Sequence, residues 1–222
     1  MTEQPDQAEE LLQELRHGEK EALAKLFSLY RPKLWRLVNF RMDPRLAQRI
    51  DPDDVLQEAY LNAEKRLEHY FKDSAQSFFV WLRAIVNQTM IDLHRRHIGA
   101  HRRDARREVS LNGGPSPFTT STGFAAQLVG SLTSPSQAAV RAELIQRVEE
   151  ALQRMDPIDR EVLALRHFEE LTNSEVAEVL GIEQKAASIR YVRALGRLRA
   201  ILASVPGFFD SQAGPLPRGR HE

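Results

Sequence analysis

The 222-residue chain contains no cysteine, which excludes disulfides and thiolate metal sites. It has no apolar run near the roughly 20 residues needed to span a bilayer, so membrane insertion is not expected. The N-terminal stretch "MTEQPDQAEELLQEL" is acidic and polar, the reverse of a signal peptide's basic and apolar layout. These absences together lead to the expectation of a soluble, cytoplasmic protein. Period-two alternation of apolar and polar residues is also missing, which argues against strands. No phosphate-binding glycine loop, nucleophile elbow or His-Glu-x-x-His motif is present, so no catalytic residue is assigned. His94, His97 and His101 have helical spacing, but they lie among arginines that repel cations. Neither a metal nor any other cofactor is expected.

Net charge is missing as well: 31 Lys and Arg balance 31 Asp and Glu. That neutrality is an average over unlike pieces. From Asp51 to Glu58 there are four acids and no base, and from Arg83 to Arg107 seven arginines face Asp92 and Asp104. From Gln184 to Leu202 there is no acid, while Lys185, Arg190, Arg193, Arg197 and Arg199 all occur. One kind of surface suits a polyanion, and another suits a different partner.

Helical periodicity dominates what is there. Leu11, Leu15, Leu23, Leu26, Phe27, Leu34, Leu37 and Val38 recur at three- and four-residue intervals. "DPDDVLQEAYLNAEKRL" opens with a start signal: Asp51 can cap, Pro52 suits the first helical position, and Asp53 and Asp54 complement the helix dipole. After the loop "HYFKDSAQSF", Phe79, Leu82, Val86, Met90 and Leu93 form a buried stripe in "FFVWLRAIVNQTMIDLHRRH". Over 99–136 a basic segment passes into a stretch rich in Gly, Pro, Ser and Thr, where no regular packed helix is expected. Helical pattern returns with Ala139, Leu144, Val148 and Leu152 and continues to about Ser204. The fold class expected is all-α, two small helical domains over 9–98 and 137–204. A flexible linker over 99–136 joins them, with an N-terminal tail over 1–8 and a mobile tail over 205–222.

"LTNSEVAEVLGIEQKAASIRYVRAL" has the anatomy of a helix-turn-helix. Thr172 and Glu175 form a capping box, and Gly181 can take the left-handed conformation that ends the first helix. On the second helix Ala187, Tyr191, Leu195, Leu198 and Leu202 share one stripe, and Arg190, Arg193 and Arg197 share another. Outward guanidinium groups pair with phosphate oxygens or guanine edges, so DNA is the simplest partner. A solvated surface helix is the plainer alternative. Gly196, inside that helix, costs about 1 kcal/mol relative to Ala with no local reason.

On these residues the chain resembles the bacterial RNA polymerase sigma factors, in the extracytoplasmic-function group of the sigma-70 family. "LALRHFEELTNSEVAEVLGI" is the most telling match in the C-terminal half. After Gly181 and Ile182 the family usually shows a Pro-Val-Gly-Thr-Val-Lys-Ser-Arg-like run, and this chain has "EQKAASIR" instead. That departure bears on base preference and not on fold. In the N-terminal half, Asp54, Gln57 and Glu58 match the family's polymerase-docking motif, Asp-Ala-Glu-Asp-Leu-Val-Gln-Glu-Thr-Phe, position by position. "SFFVWLRAIVNQTMIDLHRRH" is similar to its promoter-melting and −10 region.

The resemblance implies a factor that binds core RNA polymerase and promoter DNA, with an anti-sigma factor as a further partner the family allows. It implies docking by Asp54, Gln57, Glu58 and Leu61, since 54, 58 and 61 lie on one helix face. It implies −10 recognition and melting by Phe78, Trp81, Arg83, Asn87, Arg95 and Arg96, aromatics for an unstacked base and basic groups for the backbone. It implies −35 recognition by Lys185, Ser188, Arg190, Arg193 and Arg197. The two promoter elements lie about 60 Å apart, at roughly 34–36 Å per helical turn. A flexible chain of about 40 residues has a root-mean-square span of about 35 Å and an extended reach of about 130 Å. Such a linker bridges the elements without holding the domains apart, a task that falls to core polymerase. Two rivals are an operator-binding regulator independent of polymerase, and a helical adaptor with no DNA role.

Overall fold

The computed structural model describes residues 3–73, 75–98, 121–130, 138–205 and 208. Among them no strand occurs. The N-terminal half consists of α1 (Glu3–Arg16), α2 (Glu21–Arg41), the short α3 (Pro44–Ala47), α4 (Pro52–Asp73) and α5 (Phe78–His97). After α6 (Ser121–Gly130), the C-terminal half consists of α7 (Ala138–Gln153), α8 (Pro157–Leu163), α9 (Asn173–Leu180) and α10 (Gln184–Ala203). A π-helical turn, Ala164–Phe168, follows α8 directly.

Local chemistry sets the helix boundaries. Gly18 turns α1 into α2 with φ of 94°, a conformation that Gly takes without steric cost. At the start of α4 the Asp51 carboxylate accepts from the Asp53 N–H at 2.9 Å, and Asp54 accepts from the Asp51 N–H at 3.4 Å. Asp156 caps α8 in the same way, accepting from the Ile158 N–H at 2.9 Å. Arg160 closes the other side of that turn by donating to the carbonyls of Leu152 and Met155.

The apolar periodicity is realised as burial. Leu11, Leu15, Leu23, Leu26, Leu34, Leu37 and Val38 pack with Val55, Leu56, Ala59 and Ala63 of α4 and with Phe79, Leu82, Val86, Met90 and Leu93 of α5. This core does not stop at the end of the N-terminal half. Leu165, Leu171, Val176, Ala177, Val179 and Ala187 belong to it as well. The second core, around Leu144, Val148, Leu152, Ala194, Leu198 and Leu202, takes in Phe40 from α2. Each core therefore straddles the two halves.

One expectation needs correction. The Gly-, Ser- and Thr-rich stretch over 99–136 contains the packed helix α6. Its Phe124, Ala125 and Val129 are buried in the second core, with the Phe124 ring 5.1 Å from Phe168 and 6.3 Å from Phe40. Phe40 and Phe168 themselves stack at 4.6 Å. Tertiary burial overrides the weak local propensity of this segment. The tail expectations need correction too: residues 3–8 belong to α1, and Val205 and Phe208 are buried in the second core, while the rest of both tails and of the linker lies outside the described residues.

Between the halves sits a closed set of buried charges. Arg41 donates through Nε to Glu169 at 2.5 Å and through Nη2 to Glu161 at 2.6 Å. Arg83 donates through Nε to the other Glu169 oxygen at 2.7 Å. All four side chains are buried, and their charges cancel. Desolvation pushes the Glu169 carboxyl up, but the Arg41 and Arg83 guanidiniums outweigh it and hold the group below the usual range. Around this cluster Lys33 donates to Glu175 at 2.9 Å, Arg36 pairs with Glu170 at 3.0 Å, and Ser77 Oγ donates to Glu178 at 2.8 Å.

Removing one member strands the others. Glu169→Ala leaves two guanidiniums short of an acceptor and is expected to cost about 3–5 kcal/mol in urea unfolding at neutral pH. Because the Glu169 pKa is lower folded than unfolded, its contribution is complete above the unfolded value of 4.5 and is lost as pH falls below it. Urea midpoints should therefore fall more steeply below about pH 4.5 in the wild type than in Glu169→Gln. Parallel slopes would contradict the assignment.

Candidate functional site

The helix-turn-helix takes the form its sequence dictates. Thr172 Oγ accepts from the Glu175 N–H at 3.2 Å, and the Glu175 carboxylate accepts from the Thr172 N–H at 2.7 Å. This reciprocal box starts α9. Gly181 ends it with φ of 64°, and the Ile182 N–H returns to the Ala177 carbonyl at 2.9 Å. Asn173 ties the second helix to the first, donating to the Gln184 carbonyl at 3.1 Å and to Ser188 Oγ at 2.5 Å. α10 buries Ala187, Ala194, Leu198 and Leu202.

Its basic residues fall into two groups. Arg190 and Arg197 both turn to Asp159, a buried carboxylate on α8: Arg190 at 3.7 Å, and Arg197 in a closer contact. Lys185, Arg193 and Arg199 are exposed and have no ion-pair partner among the described residues. Of the residues expected at the −35 element, Lys185 and Arg193 thus present free cations, Ser188 is exposed but engaged by Asn173, and Arg190 and Arg197 are pinned. Spacing on α10 gave no hint of Asp159, because a carboxylate in the first turn of α8 reads as a dipole complement.

On α4, Asp54, Gln57 and Leu61 are exposed along one face, with Leu61 at 47%. Glu58 is half-buried and makes a short ion pair with Arg96 of α5. The structure thus joins a residue expected to dock polymerase to one expected to hold DNA. Arg31 of α2 reaches the start of this face, donating to Asp53 at 2.8 Å.

The −10 set is the least exposed. Phe78 and Trp81 are interior: with Tyr70 they form an aromatic cluster whose ring centroids lie 4.8–5.3 Å apart. Arg83, expected at the DNA surface, is instead buried against Glu169. Its position on α5 faces the π-helical turn, and only a carboxylate from the other half neutralises it there. Asn87 is half-buried, and its side-chain carbonyl has no hydrogen-bond partner in the protein. Arg95 and Arg96 remain exposed at the end of α5, where Arg95 lies 4.0 Å from Asp92. His94 is occupied by Asp43 at 3.2 Å, and His101 lies outside the described residues.

A short capped helix, a glycine turn and a longer helix bearing outward cations form a helix-turn-helix, and α4 adds an acid-rich face on a separate element. The family model for the ECF sigma factor matches residues 5–200. The ECF RNA polymerase sigma factor SigW of Bacillus subtilis is 25% identical over 188 residues, covering 85% of this chain and 92% of that protein. The ECF RNA polymerase sigma factor SigD of Mycobacterium tuberculosis is 27% identical, covering 90% of this chain and 85% of its own. The RNA polymerase sigma-H factor of Pseudomonas aeruginosa is 28% identical, with coverage of 81% and 84%. Among solved structures, that of CnrH in complex with the cytosolic domain of CnrY covers 90% of this chain and 99% of that one, with a TM-score of 0.50 and 25% identity.

The chain belongs to the ECF sigma factor family. Its function is promoter-specific initiation of transcription, in partnership with core RNA polymerase and promoter DNA. No helix among the described residues is long and apolar enough to cross a membrane.

The pinned pair on α10 makes a measurable prediction. Asp159→Asn keeps the side-chain shape and releases Arg190 and Arg197. For the polymerase complex on promoter DNA, the slope of log K against log salt should steepen by about 0.9 for each further phosphate that an arginine neutralises. An unchanged slope would show that neither arginine comes within reach of the backbone.

Proposed function

We propose a division of labour among the surfaces of this sigma factor. The exposed face of α4, with Asp54, Gln57 and Leu61 and with Glu58 at its edge, docks on core polymerase. A leucine set among acids suits a basic helix of the larger enzyme. α5, with Asn87, Arg95 and Arg96, engages the −10 element. Asn87, midway along α5, carries an unpaired side-chain carbonyl that is buried in the closed packing and meets a base edge once the halves part, and the arginines hold the backbone. α10 reads the −35 element through Lys185 and Arg193, with Ser188 beside them. The single observation carrying this reading is the capped helix-turn-helix that leaves Lys185 and Arg193 free beyond Gly181.

The closed packing of the halves belongs to the free chain. Ser77, beside the aromatic cluster, is bonded to Glu178 of α9, so the helix-turn-helix lies on the −10 loop. Promoter elements about 60 Å apart cannot both be read in that arrangement. Docking on core polymerase draws the halves apart, freeing Arg83 for the DNA backbone and uncovering the loop above Phe78 and Trp81. The chain supplies no covalent chemistry; it favours open over closed promoter DNA by differential binding. It acts in the cytoplasm, where its polymerase works. CnrH is solved with a cytosolic domain of CnrY, and an anti-sigma factor holding the closed state is the corresponding partner for this chain.

Gel filtration with purified core polymerase tests the reading, followed by run-off transcription and start-site mapping on genomic templates. The wild type should co-elute stoichiometrically and direct initiation. Asp54→Lys combined with Leu61→Lys should abolish co-elution, both side chains being exposed. Arg193→Ala should co-elute normally yet initiate poorly. A wild-type chain that fails to co-elute would leave an operator-binding regulator as the better account.

A further inference from the structure

The outermost line of α10 is not its most basic one. With Ala187, Ala194, Leu198 and Leu202 buried, the helical repeat of 100° per residue places Lys185, Ile189, Val192, Arg193 and Gly196 on the side facing away from the core. Ile189 is 44% exposed, and Val192, at 67%, is the most exposed large apolar side chain among the described residues. Gly196 continues the line, and a Cβ there would meet open space. Nothing inside the fold therefore demands a glycine at that position, while its absent side chain lets a ligand approach the helix closely. Guanidiniums flank the line on both sides: Arg190 and Arg197 lean toward Asp159, and Arg199 lies on the opposite edge. Asn173 holds the first turns of the helix in place through Gln184 and Ser188.

An apolar pair, Ile189 and Val192, with cations beside it and on both edges matches a DNA major groove, with base edges on its floor and phosphates on its walls. The C5-methyl of thymine is the apolar group that this floor offers. Guanine and cytosine present acceptors and a donor there, which aliphatic side chains would desolvate without replacement. We propose that Ile189 and Val192 are specificity-determining residues that read thymine methyl groups in the −35 element, with Lys185 and Arg193 supplying the polar contacts around them. This rests on the assignment of α10 to the −35 element.

The test uses the holoenzyme and the promoter mapped by run-off transcription. Each thymine of the −35 region, on either strand, is replaced in turn by deoxyuridine, which removes only the methyl. The wild type should lose about fourfold in promoter affinity at one or two of these positions, the worth of one buried methyl-sized group. Ile189→Ala and Val192→Ala should each weaken binding to thymine DNA, then show little or no further loss on the corresponding deoxyuridine template. Arg193→Ala should weaken binding on both templates alike and keep the wild-type response to deoxyuridine. If no deoxyuridine position matters while Arg193→Ala still weakens binding, the methyl reading is overturned, the −35 assignment stands, and the ridge is left for a protein partner. Losses from deoxyuridine and from Ile189→Ala or Val192→Ala that simply multiply would also overturn it. If Arg193→Ala has no effect either, the −35 assignment fails and this proposal falls with it. Both aliphatic side chains are exposed, so circular dichroism should be unchanged in every variant.

Discussion

Arg41, Arg83, Glu161 and Glu169 form a unit that is tolerable only when complete. An isolated charge in such surroundings costs several kcal/mol of desolvation, and no single pair here satisfies all the donors and acceptors. Together, two guanidinium forks and two carboxylates exchange bonds of 2.5–3.2 Å and cancel in charge. The two arginines come from α2 and α5, and the two glutamates come from α8 and the end of the π-helical turn. The unit therefore exists only while the halves are packed together. Other contacts share the same packing: Glu175 meets Lys33, Glu178 bonds Ser77, and Phe40 stacks on Phe168.

The contact between the halves is part hydrocarbon, since each core straddles them, and part ionic, and the ionic part differs in kind. Well-packed apolar residues of similar volume are often as stabilising as a buried ion pair or more so, which makes the cluster weak evidence for a permanent interface. Its charges can be hydrated or re-paired when the halves separate. On the proposed division of labour a sigma factor has use for such a contact, since its two readers lie together in this packing and about 60 Å apart on a promoter. Arg83 can exchange a protein carboxylate for a DNA phosphate at little change in local charge. The neutral overall composition agrees, because neither half carries enough positive charge to seek DNA strongly without polymerase.

What the sequence made legible was local. Thr172 with Glu175, Gly181 after an apolar turn, and Asp51 before Pro52 specify their helix ends within four residues, and the structure uses them so. The buried stripes of α2 and α5 were readable for the same reason. The features that redirect the site are long-range. Glu169 lies 86 positions from Arg83, and Asp159 lies 38 positions from Arg197, so no spacing rule connects them. Phe78 and Trp81 could be read either as DNA-facing or as core, and only the neighbouring Tyr70 ring decides it. In α6, Phe124, Ala125, Leu128 and Val129 do carry a helical repeat, but Gly, Ser and Thr around them concealed it until Phe40 and Phe168 supplied the packing.

The absence of cysteine gives direct access to the central claim, that the halves are latched together in the free chain and separated by core polymerase. Lys65→Cys on α4 and Arg154→Cys after α7 place a donor and an acceptor dye on exposed positions of the two halves. Single-molecule energy transfer should show one high-efficiency state in the free protein and a shift to low efficiency on adding core polymerase. A free protein already distributed over low efficiencies, or a high-efficiency state that persists in the polymerase complex, would contradict the account.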